Sequence, residues 1–498
     1  MKKMITLSFV VIILLFAVGY FILPKLRRSA KKSNDKIAAA QSIAVLPFVN
    51  MSNEPGQEYF IDGVTDGMLN SIAQLKNLKV SARTSSFTFR EQDPDIQKVG
   101  EKLDVRTVLK GTVQMHNDSV QITVQLIDVE NEAPFWSEIY DDKLENIFAL
   151  QDKIANVVAV KLELTSLGGK PIPASQKTIS VNEAYDLYLK GRSCWNLGTP
   201  ADLKKAIELF QQAIALDPFF ARAYSGIADC YNALGYGSHL APKDAAPKAK
   251  DAAMKAFELD STLAEPHASL GFYKFYYEWD WAAAEDEFRI ALALNPNYEL
   301  GYKWYGYYLT AMERYDEANI ILKKAGELDP LSVPISTDMG FSMYYKGDYD
   351  VAIKKLRASL QMNPKFPFAH LWLGRSYQAK KMYKQAIAEY KSALEKIPDW
   401  PVGLAHIGNV YGVSGKKAAG QIILDTLNAL ARRKFVTSYG MALIYAGLDE
   451  KEKAFEWLNK AVEERSNWLV WLKTDPRWIP LRTDKRFALL VNSVGLPL

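Results

Sequence analysis

A proline recurs at 34-residue intervals in the C-terminal half of the chain, at Pro296, Pro330, Pro364 and Pro398. This interval fits two short helices with their turns, and proline ends the second helix because it has no amide hydrogen to continue it. A small residue recurs where the paired helices must approach closely, at Gly271, Gly306, Gly340, Gly374 and Gly408. The period predicts a stack of helical hairpins, an architecture that serves binding.

The repeats occupy most of the chain after residue 180. Four blocks keep the period closely and more degenerate blocks flank them, so we predict seven or eight hairpins over residues 181–465 and a capping segment over 466–498. Alanines such as Ala318 recur in the second helix, and large residues such as Tyr302 and Trp372 fill the gaps between helices. This pattern resembles the tetratricopeptide repeat, which implies an all-α superhelix with a concave groove.

The N-terminus contains an uncharged run over residues 4–23, followed by a basic cluster. At 1.5 Å per residue a helix of this length crosses a hydrocarbon core of about 30 Å. We therefore predict a membrane anchor over residues 1–24, one transmembrane helix, and a basic juxtamembrane linker over 25–41. A cleaved signal peptide is the alternative, but cleavage after Gly19 would leave apolar residues behind. The basic cluster by itself favours a cytoplasmic location for the rest of the chain.

Residues 42–166 show a different pattern. Ser42–Phe48 is a continuous apolar run typical of a buried strand, and residues 59–75 have one apolar face, as in a helix. Over residues 105–128, apolar and polar residues alternate with a period of two, as in a β-hairpin. The predicted order β-α-β-α-β-β-β-α describes an α/β domain. Because residues 167–180 form a Gly- and Pro-rich linker, we expect this domain and the repeats to be separable units.

Four strings in this domain carry a family resemblance, at residues 43–48, 59–63, 109–113 and 136–138. They resemble the TolB amino-terminal-like domain, related to the FlgO type. Followed by these repeats, the domain resembles the C-terminal half of transmembrane adenylate cyclases and of CadC-style membrane regulators. The resemblance implies a protein of the bacterial inner (cytoplasmic) membrane with its soluble part outside the cytoplasm, the orientation we favour. Those relatives carry an effector domain before the span, so we expect any signal here to pass through a partner.

The sequence contains no pattern typical of catalysis. The five histidines lack the i,i+4 spacing and cysteine companions of a zinc site. Residues 412–417 lack the first glycine and the Ser/Thr of a phosphate loop. Eight of the 61 basic residues but one of the 57 acidic residues lie in the first 36 positions, which leaves the remainder with a net charge of −3. We therefore predict a protein that is not an enzyme, without cofactor, metal or nucleic-acid partner.

The first helices of the repeats supply the candidate binding surface. In a tetratricopeptide stack these helices line the concave groove, and aromatic residues dominate their groove positions here. The predicted groove residues are Phe272, Phe275, Tyr276, Lys303, Tyr307, Phe341, Tyr344, Tyr345, Arg375 and Gln378. Such a surface suits an extended peptide or an amphipathic helix. The alternative is that about half of these side chains pack between helices, since repeat cores are rich in aromatic residues.

Two functional hypotheses follow. The first is a membrane-anchored scaffold or sensor subunit of the bacterial envelope that binds a polypeptide in its groove. The second is an accessory regulatory subunit of a separately encoded signalling enzyme, an adenylate cyclase or kinase, or of a transcription regulator. They differ in the partner, which the sequence does not name.

The anchor hypothesis can be tested by deleting residues 1–36. Because the remainder carries a net charge of −3 and lacks the apolar run over residues 4–23, we expect a soluble, folded protein that carbonate washing releases from membranes, whereas the full chain stays in the pellet. Sedimentation and immunoblotting measure the distribution. A deleted chain that still pelleted with carbonate-washed membranes would contradict the hypothesis.

Overall fold

A computed structural model describes residues 41–52, 58–90, 93–162 and 182–496. The predicted anchor, the basic linker up to residue 40 and the Gly/Pro linker over residues 167–180 lie outside the described residues. Within the four described ranges, no helix combines the length and the apolar character needed to cross a bilayer.

Residues 42–161 form a mixed α/β unit, here called the sheet unit. Its strands are β1 (Ser42–Val45), β2 (Val49–Asn50), β3 (Lys79–Val80), β4 (Thr107–His116), β5 (Ser119–Asp128) and β6 (Ala133–Lys143). Its helices are α1 (Glu58–Ala73), α2 (Arg83–Ser86), α3 (Ile96–Leu103) and α4 (Ile147–Lys161). Strand β1 pairs in parallel with β3 and β4, β2 pairs in parallel with β4, and β4, β5 and β6 form an antiparallel meander. The α/β character predicted from the sequence is confirmed.

The alternation along β5 explains which face of the sheet is covered. Val120, Ile122 and Val124 are fully or almost fully buried and share one apolar core with α1 and α4. Between them, Gln121 and Thr123 remain partly exposed on the opposite face. Successive side chains of a strand point to opposite faces, so the period of two predicts one dry and one wet face.

Sixteen helices between residues 182 and 463 form eight consecutive hairpins, here called the repeat stack. The pairs are α5 (Asn182–Leu197) with α6 (Pro200–Leu216), α7 (Ala221–Tyr236) with α8 (Pro242–Leu259), α9 (Ala264–Tyr273) with α10 (Trp281–Leu294), α11 (Glu299–Ala311) with α12 (Tyr315–Leu328), α13 (Val333–Lys346) with α14 (Tyr349–Met362), α15 (Pro367–Ala379) with α16 (Tyr383–Lys396), α17 (Pro401–Val413) with α18 (Lys417–Leu430), and α19 (Ser438–Gly447) with α20 (Lys451–Glu463). Helix α9 continues into one π-helical turn, Lys274–Glu278.

The recurring glycines and prolines act as predicted in the stack. A Cβ atom built on Gly374 would lie 2.6 Å from the ring of Tyr390, so only glycine permits this approach of α15 and α16. Helix α12 ends at Leu328, two residues before Pro330. The 34-residue period therefore marks both the closest contact within a hairpin and the point where each second helix ends.

The sheet unit and the repeat stack share one apolar core, which corrects the expectation of separable units. Tyr185 of the first hairpin is 1% exposed, and its ring lies 6.0 Å from Phe60 and 5.3 Å from Phe148. Residues of α1 and α4 cluster with Tyr188 and Phe210 of the first hairpin in the same way. The composition of the linker carries no information about apolar contacts between the two units that it joins.

A second contact joins the sheet unit to the fourth hairpin through Asn297. This side chain is 5% exposed and accepts a hydrogen bond from the Val80 amide at 3.0 Å. Its amide nitrogen donates to the carbonyl oxygens of Ala73 and Leu78, each at 2.9 Å. One side chain thus satisfies three backbone groups of the sheet unit, which would otherwise be buried without partners.

Replacing Asn297 by Ala should destabilise the protein by about 2 kcal/mol or more, because three buried backbone groups lose their partners. Denaturant unfolding measures the free energy. Asn428→Ala is the matched control, since Asn428 is exposed on α18. Equal unfolding free energies for the two variants would show that the Asn297 contacts do not stabilise the docking.

Candidate peptide-binding groove

The predicted groove residues lie on or directly after the first helices of the third to sixth hairpins, and they are buried. Nine of the ten are at most 7% exposed, and the side chain of Lys303 is 21% exposed. A groove open to solvent would leave such aromatic rings accessible. Another part of the chain must therefore cover the concave surface.

The cover is the C-terminal segment, residues 466–496. It contains two short 3₁₀ helices, Asn467–Trp471 and Pro476–Leu481, followed by helix α21, Lys485–Ser493. The sequence analysis expected this segment to cap the end of the stack. It instead lies along the concave face, where it contacts residues from α7 to α19, and it forms one apolar cluster with the first helices.

Trp471 is the central apolar contact of the segment. Its ring stacks on Tyr345 with centroids 4.5 Å apart and an interplanar angle of 20°. It meets Phe341 edge-on at 5.0 Å and Phe275 edge-on at 6.2 Å. Three predicted groove residues, two from the fifth hairpin and one from the third, thus form the pocket of one tryptophan ring, which is 2% exposed.

Trp468 makes a second contact toward the N-terminal hairpins. Its ring stacks with Tyr236 at 6.5 Å, and its indole nitrogen donates to the Ser238 hydroxyl at 3.3 Å. Tyr236 in turn stacks on Tyr307 at 5.8 Å and contacts Phe272 and Tyr276, at 6.1 and 5.7 Å. These three predicted residues therefore reach the segment through Tyr236.

Asp475 supplies the polar contact, in a position without solvent exposure. Its carboxylate accepts from Arg375 Nη2 at 2.8 Å and from Arg477 Nη2 at 2.6 Å. The hydroxyls of Tyr344 and Tyr439 donate to it, each at 3.3 Å. One carboxylate thus accepts hydrogen bonds from two guanidinium groups and two hydroxyls.

The charges of this cluster determine its protonation. Burial alone would raise the pKa of the Asp475 carboxyl, but the guanidinium groups of Arg477 and Arg375 hold it well below its usual range. Arg375 also lies over the ring of Trp372, with its guanidinium carbon 4.1 Å from the centroid. A cation–π contact of this kind compensates part of the second positive charge.

Two predicted groove residues pair within the stack rather than with the segment. Lys303 Nζ lies 3.7 Å from Asp338 Oδ2. Gln378 donates to Asn409 at 2.6 Å and accepts from the Tyr390 hydroxyl at 2.9 Å. The repeat spacing correctly placed Lys303 and Gln378 on first helices. Their polar groups, however, pair with neighbouring side chains of the stack and not with the C-terminal segment.

The sequence analysis missed the groove contacts of Trp468, Trp471, Asp475 and Trp478. One signal was available: three of the 11 tryptophans lie within residues 468–478. Such density is unusual for a solvated end cap, since large aromatic rings are normally buried. The indole of Trp478, for example, donates to the Tyr439 hydroxyl at 2.7 Å.

Three of the five histidines have ordinary partners. His267 and His370 pair with Glu287 and Glu389, each at 2.6 Å, and His406 is buried and bonds to the Val402 carbonyl at 2.7 Å. In the described part of the chain, no group of three His, Cys, Asp or Glu residues is placed to hold a metal ion.

Family models match three parts of the chain. Residues 39–157 match the model described as HilA/YgeH-like transcriptional regulator, second domain. Residues 344–405 and 437–467 match models of the tetratricopeptide repeat. The chain thus combines tetratricopeptide repeats with a domain similar to the second domain of HilA-like regulators. The TolB-like assignment stays a prediction.

Curated relatives share part of the chain. "Putative adenylate cyclase 3" of Rhizobium meliloti is 34% identical over 193 residues, covering 39% of this chain and 33% of the relative. "Transcriptional regulator HilA" of Salmonella typhimurium is 28% identical over 223 residues, covering 43% and 39%. "Superkiller complex protein 3" of Homo sapiens is 24% identical over 305 residues, covering 59% and 17%. The chain spans less than half the length of these relatives.

Solved structures that match part of this chain include "Functional Characterization of Pseudomonas Aeruginosa pilF", at a TM-score of 0.32 and 21% identity over 46% of this chain and 99% of that chain. A second is "Crystal structure of YrrB: a TPR protein with an unusual peptide-binding site", at a TM-score of 0.26 and 23% identity over 38% of this chain and 93% of that chain.

Replacing Asp475 by Asn should destabilise the protein by about 3–5 kcal/mol, because two buried guanidinium groups lose their counter-charge. Since the folded pKa of Asp475 lies below its unfolded value, its contribution is present above the unfolded pKa of about 3.9 and is lost as the pH falls through the folded value. The difference in unfolding free energy between wild type and variant should therefore shrink below pH 4.

Denaturant unfolding at pH 7 and at pH 3.5 measures this effect. Asp350→Asn is the matched control, because Asp350 pairs with Lys380 at the surface and its side chain is 81% exposed. We expect the control to change stability by about 1 kcal/mol or less. If the Asp475→Asn variant were as stable as the control, the carboxylate would not be needed to neutralise the two guanidinium groups.

Proposed function

We propose that this protein is a protein-interaction scaffold or sensor subunit whose repeat groove binds a polypeptide, and that it has no enzymatic activity of its own. The observation that supports the proposal is the segment in the groove. The concave surface already binds a polypeptide, residues 466–481, through a stacked indole and a buried carboxylate. The groove therefore has the side chains that peptide recognition requires.

The chemistry of this segment indicates the partner. The ring of Trp471 fills an aromatic pocket, and Asp475, four residues later, pairs with Arg375. Hot spots in protein interfaces have this character, a large aromatic anchor beside a desolvated charge pair. We infer that the groove selects polypeptides with an aromatic residue followed by an acidic residue at this spacing, and that such a partner binds by displacing the segment.

The proposed location is the bacterial inner membrane, with a single span over residues 4–23 and the soluble part outside the cytoplasm. The uncharged run of 20 residues supports the span. The orientation rests on the resemblance to membrane regulators of the envelope.

A regulatory role beside a signalling protein is the second candidate. It is supported by the shared region with "Putative adenylate cyclase 3", at 34% identity, and with "Transcriptional regulator HilA", at 28%. In this role the partner in the groove would be a separately encoded adenylate cyclase, kinase or transcription regulator.

Peptide exchange tests the groove directly. A protease site inserted after Arg465 allows the chain to be cut after folding. We expect the cut protein to retain residues 466–498 without a covalent bond and to exchange them for a labelled peptide of the same sequence. Uncut protein should bind at least tenfold less peptide, because the tethered segment competes at a millimolar effective concentration. Fluorescence anisotropy measures the exchange.

Peptide variants identify the contacts. Peptides carrying Trp471→Ala or Asp475→Ala should bind at least tenfold more weakly, as expected for hot-spot residues. Leu489→Ala is the matched control, because Leu489 is 68% exposed in the intact protein. If the cut fragments separated freely, or if all three peptides bound equally, the groove would not be a peptide site.

A further inference from the structure

The groove has an extension beside the start of the C-terminal segment that no part of the described chain fills. It is a small pocket, open to solvent on one side, between the second and third hairpins. Asn467, the first residue of the 3₁₀ helix Asn467–Trp471, forms its wall on the side of the segment. We call it the tyrosine pocket, after the tyrosines that line it: Tyr231, Tyr236, Tyr273, Tyr276 and Tyr277.

Small residues on the opposite side leave the space between the helices open. Gly235 lies next to the end of α7, and Ala245 and Ala246 lie in the first turns of α8. None of the three has side-chain atoms beyond Cβ. The rings of the third hairpin therefore face a gap instead of packing against large side chains of the second.

The third hairpin also carries one residue more than its successors at this place. Thirteen positions separate Gly271 from Ala284. Twelve positions separate the equivalent pairs of the next three hairpins, Gly306 and Ala318, Gly340 and Ala352, and Gly374 and Ala386. The additional residue falls in the π-helical turn Lys274–Glu278, from which Tyr276 and Tyr277 reach the pocket. Turns of this kind are rare and occur frequently at functional sites.

The pocket is continuous with the groove. Tyr276, one of the predicted groove residues, lines it, and so does Tyr236, whose ring stacks with Trp468 of the segment at 6.5 Å. Asn467 donates to the carbonyl oxygens of Gly235 and Tyr236 at 3.2 and 3.3 Å, at the edge of the pocket. A polypeptide that follows the path of the segment therefore passes the pocket at the position of Asn467.

The chemistry of the pocket favours an apolar guest. Aromatic rings and alanine methyl groups form most of its lining. The charged side chains beside it are paired, because Glu278 accepts hydrogen bonds from the Tyr273 hydroxyl at 3.0 Å and from Lys250 Nζ at 3.4 Å. A charged guest would lose its water without gaining a counter-charge, whereas an apolar guest is stabilised by the area that it buries. The small size of the pocket suits one side chain.

We propose that the tyrosine pocket receives an apolar side chain of the partner polypeptide, four residues before the aromatic residue that takes the place of Trp471. This inference rests on the proposed function, and it extends the sequence preference of the groove to apolar, aromatic and acidic residues at intervals of four. The segment carries the polar Asn467 at the first of these positions. A partner with an apolar residue there gains a contact that the tethered segment lacks.

Thermal unfolding of the full chain in detergent tests the pocket without peptide exchange. Asn467→Met and Asn467→Ala lose the same amide hydrogen bonds and differ in the apolar side chain, and Met adapts to irregular gaps. We expect the melting temperature of Asn467→Met to be higher by about 2 °C or more, measured by circular dichroism. The difference should disappear in the Ala246→Leu background, because Ala246 is only partly buried at the pocket and the added leucine fills the space.

Leu489→Met and Leu489→Ala are the matched control pair, because Leu489 lies in the same segment and is 68% exposed. Their melting temperatures should be nearly equal. Equal melting temperatures for the two Asn467 variants would overturn the proposal, and so would a difference that persists with Ala246→Leu.

Peptide exchange with the cut protein separates this proposal from the groove itself. The labelled peptide of residues 466–498 with Asn467→Met should bind at least tenfold more tightly than the peptide with Asn467→Ala, and Ala246→Leu in the protein should abolish the difference. If the wild-type peptide did not exchange, the proposed peptide groove would be wrong, and the melting temperatures would still decide on the pocket. If the wild-type peptide exchanged but the two variant peptides bound equally, the pocket proposal alone would be wrong.

Discussion

The closed arrangement of the repeat stack depends on the ion pair between Arg375 and Asp475. Both side chains have no solvent exposure, and a guanidinium group buried without a counter-charge costs several kcal/mol. The sixth hairpin therefore requires the C-terminal segment, and the segment requires the hairpin. Arg477 increases this dependence, because its own guanidinium is neutralised by the same carboxylate. The aromatic contacts of Trp471 contribute area and shape, whereas the charge cluster fixes the register in which the segment lies.

Two parts of the chain cover the repeat stack. The sheet unit contacts the first hairpin at Tyr185 and the fourth at Asn297, and the C-terminal segment covers the aromatic side chains of the first helices. Helix α11 touches both: Asn297, just before it, holds the sheet unit, and Tyr307, within it, stacks on Tyr236 against Trp468. A change at one cover can therefore reach the other through a single rigid helix.

The sequence predicted what is local and periodic. The spacing of the prolines and of glycines such as Gly374 located the helices and their close contacts, and the helical period placed Phe341 and Tyr345 on the concave face. It could not predict the occupant of that face, because Asp475 is 100 residues from Arg375 and belongs to no period. Asn297 shows the same limit: it reads as part of a turn, yet it binds a strand 217 residues away. Contacts of this kind depend on the three-dimensional arrangement, which no short pattern encodes.

A tethered occupant also restricts which partners can enter the groove. A segment joined by a short connection competes at an effective concentration in the millimolar range. A free peptide with the same contacts and a micromolar concentration would then occupy about one groove in a thousand. A partner must therefore make contacts beyond those of Trp471 and Asp475, or be concentrated near the groove. Anchoring in one membrane supplies the second condition, because two proteins confined to a bilayer meet at a much higher local concentration than in solution. The proposed anchor and the filled groove thus support one another, since the first makes displacement of the second feasible.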